Sequence, residues 1–191
     1  MPGHPVVAAL YDPLMHAQDL FGLRRQRIRT AHEANGRVLE LGVGTGLNLP
    51  YYDGAESVVG VDPDPHMLRR ARRRGGAELV EASAEELPFP DESFDTVVAA
   101  LSLCTIPDVA AALAEARRVL RPDGRLLFLE HVRSESERAA ALQDRIEPLW
   151  TRLAGGCHPN RDTVAAIERE FAIERLWRRG LIVQGAATKR V

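Results

Sequence analysis

The chain has 191 residues, of which 45% are hydrophobic and 27% charged, a balance that fits one globular domain and excludes intrinsic disorder. Its formal net charge of -2 gives no electrostatic reason to expect a nucleic acid partner. Two cysteines, Cys104 and Cys157, neither build a disulfide framework nor show zinc-ligand spacing, so no metal site is predicted and a reducing, cytoplasmic setting is expected. No apolar run reaches the ~20 residues needed to cross a bilayer, and the run at 6–10 is too short for the core of a signal peptide.

Residues before 37 read as an irregular helical segment broken by Pro5 and Pro13, with Leu14, Phe21 and Ile28 on one side and Arg24, Arg25, Arg27 and Arg29 on or near the other. The expected division is a helical lid at 1–35 over a core at 36–191, together forming one domain. A basic amphipathic helix can also lie on anionic lipid, so association with a membrane surface stays open. From residue 37 onward short apolar runs alternate with helical patterns. Strands are expected at 37–41 (RVLEL) and 57–61 (SVVGV); Asp64-Pro65 then opens a helix as N-cap and first helical residue, and Gly75-Gly76 closes it. A brief strand at 77–80 and a stronger one at 94–100 (FDTVVAA) follow. Helix 108–121 carries Val109, Leu113, Ala116 and Leu120 at helical spacing, and Pro122-Asp123-Gly124 is expected to break the chain after it. Residues 125–132 (RLLFLEHV) form a buried strand, helices at about 135–150 and 161–170 come next, and 172–177 with 181–187 close the chain as an antiparallel pair. This order predicts an α/β, Rossmann-like doubly wound, mostly parallel seven-stranded sheet with an antiparallel terminal strand and an N-terminal helical lid.

The chemistry concentrates after the first strand. Gly42, Gly44 and Gly46 allow a tight turn and close approach of a ligand to the backbone, and Asp62 ends the next strand twenty positions after Gly42. An acid at that place accepts hydrogen bonds from the paired hydroxyls of a ribose. A dinucleotide fingerprint requires G-x-G-x-x-G, but position 47 is Leu and the loop reads G-x-G-x-G. Glu40, two residues before the first glycine, would repel a pyrophosphate and suits an ammonium and a sulfonium. The electrostatics thus favour S-adenosylmethionine over NAD, with an NAD-dependent oxidoreductase as the alternative.

The runs VLELGVGTG, VGVDPDPHML, ASAEELPFPDESFDTVV and VLRPDGRLLFLEH resemble the class I S-adenosylmethionine-dependent methyltransferases across nearly the whole chain. The resemblance implies that Gly42 and Gly44 pass the methionine part of the cofactor, with Glu40 near its amino group and Gly46 in the same cofactor-binding loop. It implies that Asp62 holds the ribose, that Pro63 and Met67 flank the adenine, and that Ser83 and Ala84 sit where the adenine edge is read. Many relatives have Asp at position 83, so Ser83 removes a strong acceptor for the exocyclic amine. Leu101 would line the pocket and Tyr11 would cover the cofactor. Plain core packing is the alternative for Pro63, Met67 and Leu101.

Finer features, namely 101–104 (LSLC), 129–132 (LEHV), the Trp150 region and Gly156-Cys157-x-x-x-Arg161, are similar to a small methyltransferase-like group that in animals methylates alkyl thiols. Members of that group carry an N-terminal membrane-anchoring segment, which is not expected here. The core also resembles ubiquinone/menaquinone C-methyltransferases and phospholipid N-methyltransferases. What these likenesses imply is methyl transfer to a small, apolar acceptor bearing a thiol, a quinol-like ring or an amine, with S-adenosylhomocysteine as product. A protein that binds S-adenosylmethionine without catalysis is a further alternative. His131, after the fifth strand, is the candidate general base, with a structural hydrogen bond or acceptor positioning as the other reading. Cys104 and Cys157 read as small packing residues, and the arginines at 69–74 (RRARRR) as a solvated helix face. Nothing in the residues indicates an oligomeric state.

Overall fold

A computed structural model describes residues 12–13, 15–16, 19–153 and 155–190. Seven strands, β1 (Gly36–Leu41), β2 (Ala55–Asp62), β3 (Glu78–Glu81), β4 (Phe94–Ala100), β5 (Leu120–His131), β6 (Phe171–Arg179) and β7 (Ile182–Lys189), form one sheet in the order β3-β2-β1-β4-β5-β7-β6. All lateral pairings from β3 to β5 are parallel, whereas β7 runs antiparallel to both β5 and β6. The antiparallel strand is therefore last in the chain but sits inside the sheet, with β6 at the edge. Helices α1 (Arg24–His32), α2 (Pro65–Arg74), α3 (Val109–Val119), α4 (Glu137–Leu153) and α5 (Thr163–Glu170) are joined by a 3-10 turn, Leu49–Tyr51, and by a π-helical turn, Asp19–Leu23, that leads into α1. No described helix is long and apolar enough to cross a membrane.

The pleat sorts the side chains into two cores. Leu39, Leu41, Val59, Val61, Val97, Ala99 and Phe128 pack with Leu113 and Ala116 of α3 and Ile167 of α5. Val38, Val58, Val98, Leu127 and Leu129 point the other way, toward Ala31 of α1 and Leu68 and Ala71 of α2. Helix starts are chemically marked: the Asp64 side chain accepts from the His66 N–H (2.7 Å), Asp108 from Ala111 (3.0 Å) and Asp162 from Ala165 (3.1 Å).

Two local expectations need correction. Pro122-Asp123-Gly124 does not break the chain before a new strand; it lies within β5, whose register jumps from Phe94↔Leu120 to Thr96↔Arg125. The extra residues bulge out at the sheet's amino edge, where proline costs no ladder hydrogen bond. In α1, Arg24, Arg25 and Arg29 are exposed as expected, but Arg27 is buried. It turns inward because it pairs with Asp19 (3.4 Å) and donates to Asn48 Oδ1 (3.1 Å).

Candidate active site

The parallel strands all end on one edge of the sheet, and the order reverses between β1 and β4, which opens a crevice there. Glu40 lies near the end of β1 and the glycine loop follows that strand, Asp62 ends β2, Ser83 follows β3, Leu101 follows β4 and His131 ends β5. One edge thus gathers residues from five strands that the sequence reading singled out one at a time.

Gly42, Gly44 and Gly46 all adopt positive φ (62°, 56° and 80°). A Cβ on Gly42 would stand 2.7 Å from Ser102 Cβ, so only glycine lets the loops after β1 and β4 touch. At Gly44 the nearest atom to such a Cβ would be 3.9 Å away, and the backbone there faces open space. Asp62 holds this loop in place: its Oδ2 accepts from the Gly44 N–H and its Oδ1 from the Asp64 N–H, both at 2.9 Å. Each oxygen keeps a further lone pair. Burial raises the Asp62 carboxyl above its ordinary pKa, against the opposing pull of these two N–H groups.

Glu40 is almost wholly buried on the α1/α2 side of the sheet. Its Oε1 accepts from Asn48 Nδ2 (2.6 Å), which ties it through Asn48 to Arg27 and Asp19. Its Oε2 has no conventional hydrogen-bond partner, nor has the adjacent Tyr52 hydroxyl, although each acts on the other electrostatically. Burial pushes the Glu40 carboxyl up to about 7, against the opposing pull of Asn48, Tyr52 and Arg27. The Ser102 hydroxyl, beside Gly42, is a third buried polar atom without a partner. A buried carboxylate oxygen lacking a donor fits the ammonium of an amino-acid ligand. An acid with spare lone pairs beside a glycine loop fits a ribose. The residues present therefore suit S-adenosylmethionine, which supplies a methyl group on a positively charged sulfur when bound.

Leu101 is buried and has φ of 59°, an unusual left-handed conformation for a non-glycine residue, set by a hydrogen bond from its N–H to Leu129 O (2.7 Å). Among the adenine candidates, Ala84 is buried, Met67 half-buried and Pro63 exposed. The Ser83 hydroxyl is engaged locally: it donates to Glu85 Oε2 (2.5 Å) and accepts from the Glu85 N–H (3.3 Å). Tyr11 lies outside the described residues.

Several residues that the sequence reading missed organise the site. Asp12 accepts from Thr45 Oγ1 (2.6 Å) and Arg74 Nη2 (2.9 Å), and Arg74 also donates to Thr45 O, so Asp12 is clasped to the glycine loop. Arg70 stands 3.8 Å from the same carboxylate. Two arginines of the run at 69–74 therefore serve this clasp, while Arg69, Arg72 and Arg73 are exposed. Glu130, fully buried in β5, accepts the N–H groups of Ser102 (2.9 Å), Leu103 (2.9 Å) and Cys104 (3.3 Å) and so shapes the loop after β4. A glutamate inside the apolar run RLLFLEHV was the available signal, since buried charges are rare unless paired. Burial raises its carboxyl to about 7 against those three donors.

The loop shaped by Glu130 carries Cys104, whose Sγ lies 3.4 Å from Cys157 Sγ. His131 Nδ1 stands 3.9 Å from the first sulfur and 3.8 Å from the second. The thiol contact and His131 hold Cys157 down to about 4, whereas the same contact, burial and Glu130 raise Cys104. His158, next to Cys157 in sequence, pairs through Nδ1 with Glu147 (2.5 Å).

A family described as "Methyltransferase domain" matches residues 39–128. The chain is 38% identical over 160 residues to a phosphatidylethanolamine N-methyltransferase of Cereibacter sphaeroides, covering 78% of this chain and 76% of that protein. It is 34% identical over 161 residues to a thiol S-methyltransferase of Rattus norvegicus, covering 80% of this chain and 65% of the relative, so it spans less than two thirds of that protein. Identity to a ubiquinone/menaquinone biosynthesis C-methyltransferase of a Marinomonas strain is 31% over 204 residues, covering 88% and 80%. In fold, the chain matches a methyltransferase of Thermotoga maritima with a TM-score of 0.68 at 23% identity, over 95% of this chain and 98% of the other. Taken with the sheet order and the glycine-loop geometry, these likenesses mean that the chain belongs to the S-adenosylmethionine-dependent methyltransferases.

Proposed function

We propose that the protein transfers the methyl group of S-adenosylmethionine to a small, apolar acceptor whose nucleophile is a thiol, a quinol-like ring or an amine. The observation that carries this is the shared carboxyl edge. On this reading Glu40 and Asp62 would take the cofactor's ammonium and ribose on the β1/β2 side, and the loop after β4, with buried Leu101 and Leu103, and His131 at the end of β5 lie on the β4/β5 side of the same edge. Holding cofactor and acceptor in line supplies much of the rate, since orientation alone is worth ~7–11 kcal/mol. On this reading Glu40 anchors, Asp62 and the glycine loop orient, Pro63, Met67, Ser83 and Ala84 surround the adenine, and His131 stands beside the acceptor. The relatives named above act, by their names, on a phospholipid amine, a thiol and a quinone precursor, which supports the range of acceptors but selects none of them.

The test is a panel of alkyl thiols, quinols and amines, phosphatidylethanolamine among them, with S-adenosylhomocysteine release as readout. Release with a small apolar member is expected. Release only with macromolecular acceptors would overturn the reading.

A further inference from the structure

Cys104, His131 and Cys157 come from three different segments: the loop after β4, the end of β5, and the turn between α4 and α5. Their Sγ, Nδ1 and Sγ atoms all lie within 4.8 Å of one another. Both cysteines are buried free thiols. Soft sulfur and imidazole ligands suit zinc, with Zn–S of about 2.3 Å and Zn–N of about 2.0–2.1 Å. A tetrahedron with those arms has S–S edges of about 3.8 Å and S–N edges of about 3.6 Å. The observed separations are 3.4 Å between sulfurs and 3.8 and 3.9 Å from sulfur to nitrogen, so no ligand needs to move by more than a few tenths of an ångström.

The surrounding hydrogen bonds hold this triangle. Glu130 fixes the Cys104 backbone (3.3 Å), and the His158 N–H donates to Cys104 O (2.7 Å), joining the two cysteine segments. Gln143 Nε2 donates both to Val132 O (3.2 Å) and to Pro159 O (2.9 Å), which links the end of β5 to the Cys157 turn. Arg161 reaches Leu103 O (2.7 Å), and Thr163 Oγ1 reaches His131 O (3.3 Å). These bonds fix the backbone of the three segments that carry the ligands.

We propose that Cys104, His131 and Cys157 form a zinc site of the three-ligand kind, whose fourth position receives the sulfur of a thiol acceptor. Three protein ligands with one open position are the pattern of reactive zinc, as opposed to the closed four-ligand pattern of structural zinc. Cys104 lies three residues beyond Leu101, in the loop that follows β4 at the carboxyl edge of the sheet. The metal half stands on the ligand geometry alone; the acceptor half rests on the small-acceptor reading above and narrows it to thiols. The acceptor's S–H proton goes to solvent as its sulfur binds. That sulfur's electron pair then forms the new C–S bond while the sulfonium C–S bond breaks, leaving its pair on S-adenosylhomocysteine. A coordinated Nδ1 excludes the free-base role read for His131, which becomes a ligand.

The test uses the full chain, reduced and metal-free, titrated with Zn²⁺ and with Co²⁺ as spectroscopic probe. One metal per chain is expected, with thiolate-to-cobalt charge transfer and the visible bands of a tetrahedral ion. Cys157→Ser, Cys104→Ser and His131→Gln should each weaken binding by more than the about 10–100-fold that loss of an outer supporting contact costs. Melting curves identify any variant that fails to fold, and the wild-type titration decides the matter without them. No metal bound by the reduced wild-type chain, or equal binding by the folded Cys104→Ser, Cys157→Ser double variant, overturns the site. An alkyl thiol should then shift the cobalt bands. Unchanged bands at a thiol concentration that saturates turnover, or turnover only on amines or ring carbons, overturn the acceptor half while the metal titration still judges the site itself.

Discussion

Replacing Glu40 by glutamine separates what this buried acid costs the fold from what it contributes to binding. Burial raises its carboxyl from 4.5 to about 7. At ~1.4 kcal/mol per pH unit, that shift is worth about 3 kcal/mol. The folded chain keeps the Glu40 proton between pH 4.5 and about 7, where the unfolded chain has lost it. Stability therefore falls as pH rises through that window, and the full cost is present above it. Glutamine keeps the shape, can still accept from Asn48 and carries no charge to desolvate. E40Q should match the wild type near pH ~4 and exceed it by up to about 3 kcal/mol near pH ~8, a rise in Tm of roughly 6–12 °C at about 2–4 °C per kcal/mol for this size. Cofactor affinity should move the other way, losing about 2–5 kcal/mol as a buried charge pair loses one member. Wild-type affinity for S-adenosylmethionine should also improve about tenfold per pH unit as Glu40 ionises, then level off above about 7. Glu130, the other buried glutamate raised to about 7, is common to both proteins and cancels in the comparison. Thermal melts across pH and calorimetric titration supply the measurements. Equal melting near pH ~8, or unchanged cofactor affinity, would refute the reasoning.

Asp62→Ala should weaken cofactor binding and also destabilise the chain. It removes the acceptor of two N–H groups at 2.9 Å, each such bond to a charged group being worth about 1.5–3 kcal/mol. Denaturant unfolding reads the second effect, and unchanged affinity would remove the ribose assignment. Gly42→Ala should cost more stability than Gly44→Ala. Both carry the about 1–2 kcal/mol penalty of left-handed backbone, but only Gly42 adds a clash with Ser102 at 2.7 Å. Equal melting points for the two would argue against the loop contact. The double charge reversal Arg72→Glu, Arg73→Glu, on the exposed side of α2, should change stability by no more than about 0.5 kcal/mol per site and leave turnover of small acceptors intact. Lost turnover would give these arginines a role in recognition.

Much of the fold was legible because strands buried on both faces read as nearly continuous apolar runs, and 94–100 is β4 to the residue. That the glycine loop, Glu40 and Asp62 would share one edge was legible because they sit at the ends of adjacent strands, where short-range spacing maps directly onto space. Arg27 and Pro122 misled for one reason: a local pattern cannot say which partner waits across a packed interface. Arg27 had Asp19 and Asn48, and Pro122 had a bulge at a sheet edge.

The amino-acid order alone thus determined the layered sheet, the gathering of the glycine loop and Asp62 at one sheet edge, and the class of chemistry, all of which depend on periodicity and on neighbours within a few residues. Only the tertiary structure decided that Glu130 holds the loop of Ser102, Leu103 and Cys104, and that Cys104, His131 and Cys157 meet. Those sulfurs and that imidazole are 27 and 26 residues apart in sequence. Their contact exists because parallel β4 and β5 deliver both segments to the same edge, and the return from α4 to α5 folds the Cys157 turn across it.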